Sequence, residues 1–180
     1  MTRRDLITLL GVAATVALLV PTSAGLAQAP DQAVTVERLD VARPGIYEIR
    51  TSAPVQGYVV STGNMVKITG YKNVSVGTTI EANRGVVIGA EINIVGTPRR
   101  AKVPIKVVWH YPQPGLTNPE SKTTTTSEEY MDTQIIGETF PIFWGLTQDW
   151  HLVPGIWTLE VWQDERKLVT QQFQLIKPTM

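Results

Sequence analysis

From residue 33 onward the apolar residues of this chain recur at every second position, and no segment there sustains a helical repeat. The clearest case is WHLVPGIWTLEVW, residues 150–162. After the turn signal Pro154-Gly155, the residues Trp157, Leu159 and Val161 fall on one face and Thr158, Glu160 and Trp162 on the other, because successive side chains of a strand point to opposite sides. The first set is expected to be core. QDER, residues 163–166, then closes a hairpin, and KLVTQQFQLIK returns with Phe173 and Leu175 inward and Gln172 and Gln174 outward. Leu168 is out of phase with Phe173, so burial of both requires a bulge between them.

The same period marks short β-rich runs at 33–41, 45–51, 57–62, 64–71, 73–82, 85–96 and 101–111. Pro44-Gly45, Ser52 to Pro54, Gly63-Asn64, Asn83 to Gly85 and Gly96 to Pro98 read as the turns between them. The expectation is an all-β, mainly antiparallel sandwich of seven to nine strands with almost no helix. A loop from Pro112 to Glu129 follows, and prolines keep its first half out of any central strand. Its TTTTS run fits either an edge strand or a long excursion; loops of this length in compact domains are often functional, but the simpler reading is elaboration of a turn, since loops tolerate insertion.

The N-terminus, MTRRDLITLLGVAATVALLVPTSAGLAQAP, has a basic start at Arg3-Arg4, an apolar run from Leu6 to Val20 and a small-residue segment after Pro21. That is the layout of a helical signal peptide, and the run is short for a membrane span. Gly25 and Ala27 favour cleavage between Ala27 and Gln28, giving a signal peptide at 1–27 and a single β-sandwich domain at 28–180. The paired arginines also resemble a twin-arginine export signal. The expected location is periplasmic or secreted, with no stable membrane span after processing. Cleavage takes Arg3, Arg4 and Asp5 from a chain with 16 basic and 16 acidic residues, so the mature protein carries a formal charge of minus one. That balance gives no electrostatic reason to expect nucleic acid, and PRRAK at 98–102 reads as a solvated turn. The chain has no cysteine, so packing alone must hold the mature domain, and thiol chemistry is excluded.

VVWHYPQPGLTNP, at 107–119, together with DWHLVPGIWTLEVWQDERKLVTQQFQL, at 149–175, resembles the bacterial exported domains of unknown function catalogued as family 3859. The similarity runs from about residue 35 to the end. Val153-Pro154-Gly155-x-Trp157 and the segment from Leu168 to Phe173 are its most specific parts. The resemblance implies an immunoglobulin-like β-sandwich and supplies no catalytic residues. Where the family has an acidic residue just before the Val-Pro-Gly turn, this chain has His151 followed by Leu152.

Chemistry finds few footholds. No G-x-S-x-G elbow, phosphate-binding loop or dinucleotide fingerprint occurs. His110 and His151, the only histidines, lie forty-one positions apart, and Asp149 is the one candidate ligand beside His151; a zinc site needs more convergent donors. Glu128, Glu129 and Asp132 could be drafted as a glycosidase pair, but they adjoin a solvated threonine run. No metal and no cofactor is expected. The reading is a non-catalytic binding or accessory module of the periplasm or cell envelope. Trp144, Trp150, His151 and Trp162 are its candidate contacts with a protein or envelope component, and at least one of Trp150 and Trp162 is expected to be exposed. The alternative is a small hydrolase or metal-dependent enzyme using His110 or His151.

Overall fold

The computed structural model describes residues 33–60 and 63–179, with side chains between 52 and 66 left aside. The signal peptide and its cleavage site lie outside the described residues. Gln32–Met180 forms one compact unit, and no α-helix occurs among the described residues.

Two sheets make the sandwich. The first has the order β2-β1-β4-β9, from Gly63–Val76, Thr35–Val60, Val87–Thr97 and Thr139–Gly145; the second has the order β3-β11-β10-β5-β8, from Thr79–Glu81, Arg166–Ile176, Gly155–Gln163, Lys102–His110 and Ser127–Ile135. Every pairing is antiparallel except the short β3 against β11. A small hairpin of β6, Leu116–Thr117, and β7, Thr124–Thr125, stands apart. Alternation decides which residues line the interior. Ile88, Ala90, Ile92 and Ile94 of β4 meet Val103, Ile105, Val107 and Trp109 of β5 in one buried cluster, which also holds Trp157, Leu159, Val161, Phe173 and Leu175.

The expected β10–β11 hairpin is present, with Trp157 opposite Phe173 and Val161 opposite Val169. The bulge residue is Leu168 itself, since the next pair is Trp162 with Lys167. Other expected boundaries move. Pro44-Gly45 does not end a strand; β1 runs on through it by a bulge between Ala42 and Gly45. Arg43 adopts a positive φ of 48° there. Likewise β2 continues across residue 72, and the break comes at Gly77. Beyond Tyr47, β1 pairs with β2 alone, so the two strands leave the sheet as a ribbon. The 112–129 segment contains the β6–β7 hairpin and the first residues of β8.

β9 and most of β8 add to the expected strands, and Phe140, Ile142 and Trp144 alternate in phase and are buried. Pro141 hides the pattern, yet it is tolerated because β9 is an edge strand.

Candidate functional site

The candidate residues divide between two places. Trp144 closes β9 on the interior side, and a 3₁₀ turn at Asp149–His151 delivers Trp150 and His151 to the same end of the sandwich. His151 is 1% exposed. Its ring lies edge-on between Trp144 and Trp150, at centroid distances of 4.7 and 4.1 Å. Trp144 in turn meets Trp157 at 4.8 Å and Tyr111 at 5.7 Å. The polar edges are matched too: the Trp144 indole donates to the Tyr111 hydroxyl at 3.1 Å, and that hydroxyl donates to Glu128 at 3.1 Å.

The chemistry of His151 follows from its hydrogen bonds. Nδ1 accepts from the backbone N–H groups of Thr147 and Gln148, at 3.2 and 3.3 Å. An accepting Nδ1 puts the proton of the neutral ring on Nε2, so neither nitrogen is available as a base or as a metal ligand. His151 organises the 146–152 turn. Asp149, the one candidate ligand beside it in sequence, points away to Arg84 at 3.5 Å, with a side chain that is mostly exposed. The Val-Pro-Gly-x-Trp motif has a similarly structural basis. The Trp157 indole donates to the Val153 carbonyl at 3.0 Å, while Gly155, at φ 137°, presses on Pro112 so closely that a Cβ would lie 2.5 Å from that ring.

Trp162 is elsewhere, on the outer face of the five-stranded sheet. Register places Met131, Lys106, Trp162 and Lys167 in one row across β8, β5, β10 and β11. The two ammonium groups lie 5.4 and 5.3 Å from the indole centroid, within cation–π range. Glu160 is the hub beside them. It accepts from Lys167 at 2.8 Å and from the Trp162 indole at 3.0 Å, and it stands 3.3 Å from His110 Nε2. Burial pushes the Glu160 carboxyl up, but the hydrogen bonds from Lys167, His110 and Trp162 outweigh it and hold the group below its ordinary value. A carboxylate engaged by three donors is a poor base. No hydroxyl hydrogen-bonds to His110 among the described residues, although Ser127 and Thr158 flank it in register. Among the described residues no three His, Cys, Asp or Glu side chains converge as metal ligands.

Both Trp150 and Trp162 are half-buried, and neither reaches the exposure expected of at least one of them. Trp144 and His151 are interior.

A further cluster escaped the sequence reading. On the outer face of the four-stranded sheet, Tyr47, Tyr71 and Phe143 come together from β1, β2 and β9, with centroids 4.5 to 6.1 Å apart. Gly45 of β1 and Gly89 of β4 face each other in register. Phe143 lies so close over Gly89 that a Cβ there would sit 2.4 Å from its ring. Glu91, 4% exposed on this outer face, is ion-paired with Arg43. Gly89 stands opposite Phe143 while Gly45 stands opposite Val76, pairings that only strand register reveals.

This architecture defines the class: an immunoglobulin-like β-sandwich. No family model matches the chain, and no curated protein matches it. Among solved structures it is similar to an immunoglobulin-like protein of Pseudomonas aeruginosa, at 18% identity and a TM-score of 0.53, covering 80% of this chain and 97% of that one. Two structures of a β-glucosidase from Listeria innocua, with glucose and with isofagomine, overlap 72% and 70% of this chain but only 16% and 19% of theirs. Their identities are 12% and 10%, and their TM-scores of 0.34 and 0.33 are too low to carry an argument.

Proposed function

We propose that the chain is an exported member of family 3859, made with a signal peptide at 1–27 and acting as a single domain, 28–180, in the periplasm or cell envelope. Its role is that of a non-catalytic binding or accessory module, and its contact surface is the outer face of the five-stranded sheet around Trp162. The observation that carries this reading is the half-buried Trp162 indole held between Lys106 and Lys167, with exposed Met131 and Ile156 on the same face. An aromatic ring ordered by flanking charges is a preorganised anchor, and tryptophan is enriched among residues that dominate binding energy. Trp150 offers a second point of contact at the sandwich end, with Trp144 and His151 fixing its orientation. Intact mass after expression in an exporting host should give a chain beginning at Gln28. Pull-downs from a periplasmic extract should recover a partner with the wild-type protein and lose it with Trp162→Ala, and a partner retained equally by both would refute the assignment of this face.

A further inference from the structure

The outer face of the four-stranded sheet carries a second, chemically distinct feature. A glutamate on a solvent-facing sheet position ordinarily extends into water, yet Glu91 is 4% exposed. A buried carboxylate costs several kcal/mol, on the order of its desolvation, unless it is paired, and Arg43 supplies that pair. Arg43 is itself fixed. Its backbone has a positive φ, and its carbonyl accepts the Tyr47 hydroxyl at 2.6 Å and the Asn73 amide at 3.5 Å. Even so, its side chain is 60% exposed, and only the amino group facing Glu91 is hydrogen-bonded among the described residues. The remaining guanidinium donors face water from a rigid mount. Tyr71, within electrostatic reach of Arg43, is 39% exposed, and its hydroxyl makes no hydrogen bond among the described residues.

This combination selects for one kind of ligand. One guanidinium against one carboxylate leaves the cluster without net charge, so neither an anion nor a cation is favoured. A purely apolar chain laid over it would desolvate the ion pair without replacing its water. A pyranose meets both conditions: its C–H face stacks on an aromatic ring, and adjacent hydroxyls accept from a planar, forked donor set such as arginine's. We propose that this face is a binding site for an uncharged saccharide, with Tyr71 as the stacking ring and Arg43 as the hydroxyl-binding group. Phe143 and Tyr47 hold Tyr71 edge-on at 5.3 and 6.1 Å and so orient it.

The test is calorimetric titration of the full chain with cellohexaose, chitohexaose and maltohexaose. Saturable binding of at least one is expected. Tyr71→Ala should weaken it about tenfold or more, equivalent to about 1.4 kcal/mol, while Tyr71→Phe, which keeps the ring, should stay close to wild type. Because Arg43→Ala strands a buried carboxylate and endangers folding, Tyr71 is the deciding position. A melting temperature for Tyr71→Ala close to that of the wild type would show that the loss is one of binding. Gln172→Ala, an exposed change on the five-stranded sheet, should bind as the wild type does. No saturable binding to any of the three sugars, or equal binding by wild type and Tyr71→Ala, overturns the proposal.

Discussion

Trp157→Ala removes the side chain that locks the two sheets at their aromatic end. Trp157 is fully buried and packs edge-on against Tyr111 at 4.9 Å and Trp144 at 4.8 Å. Large-to-alanine changes of buried tryptophan or phenylalanine cost about 3–5 kcal/mol through lost burial and a residual cavity. The Val153 carbonyl also loses the indole donor, which adds about 1 kcal/mol. The sum, about 4–6 kcal/mol, is a large share of the roughly 5–15 kcal/mol that holds a domain together. At about 2–4 °C per kcal/mol for a domain of this size, the melting temperature should fall by about 10–20 °C. Trp162→Ala loses two surface cation–π contacts and one hydrogen bond, and should cost about 1–2 kcal/mol. Denaturant midpoints, at unchanged slope, measure both. If Trp157→Ala costs under about 2 kcal/mol, or no more than Trp162→Ala, the aromatic lock is not what joins the sheets.

The remaining expectations concern single groups. His151→Phe keeps the ring but leaves the Thr147 and Gln148 amides without their acceptor, and should lower stability by about 1–3 kcal/mol by chemical denaturation. Trp109→Phe should be milder than Trp157→Phe by about 1 kcal/mol, because the buried Trp109 indole N–H has no acceptor among the described residues to lose. Gly89→Ala places a methyl 2.2 Å from the Ile142 carbonyl oxygen and 2.4 Å from the Phe143 ring, and should cost about 1–3 kcal/mol with a chemical-shift change at Phe143. Glu160 has a folded-state pKa below its ordinary value, so its contribution is present above the unfolded carboxylate range and is lost as pH falls through the depressed value. Stability profiles of wild type and Glu160→Gln should therefore converge on acidification, and parallel profiles would show that ionisation of Glu160 contributes nothing.

The sequence made the β10–β11 hairpin legible because its alternation is strict and its turn residues are conventional. It also placed Trp157 in the interior. Pro44 and Pro141 misled in opposite ways: one sits in a bulge that lets β1 continue, and the other on an edge strand that needs no donor there. Proline's local rule is real, but its consequence depends on which neighbour the strand has, and that is a tertiary fact. The candidate contacts show the same limit. Trp150, His151 and Trp162 are close in sequence, yet the hairpin carries Trp162 to an outer face while the 3₁₀ turn folds His151 between two tryptophans. Tyr47, Tyr71, Glu91 and Phe143 come from four strands and share no local pattern, so only the pairing of β1 with β2 and β4, and of β4 with β9, reveals them.

The interlocked rings of Trp144, Trp157 and Tyr111 join the two sheets with no covalent cross-link, in a chain that contains no cysteine. Nothing in the assembly of this core requires an oxidant or a disulfide isomerase. The domain can therefore reach its final packing in a reducing or an oxidising compartment alike, and a reductant added to the folded protein should leave it intact.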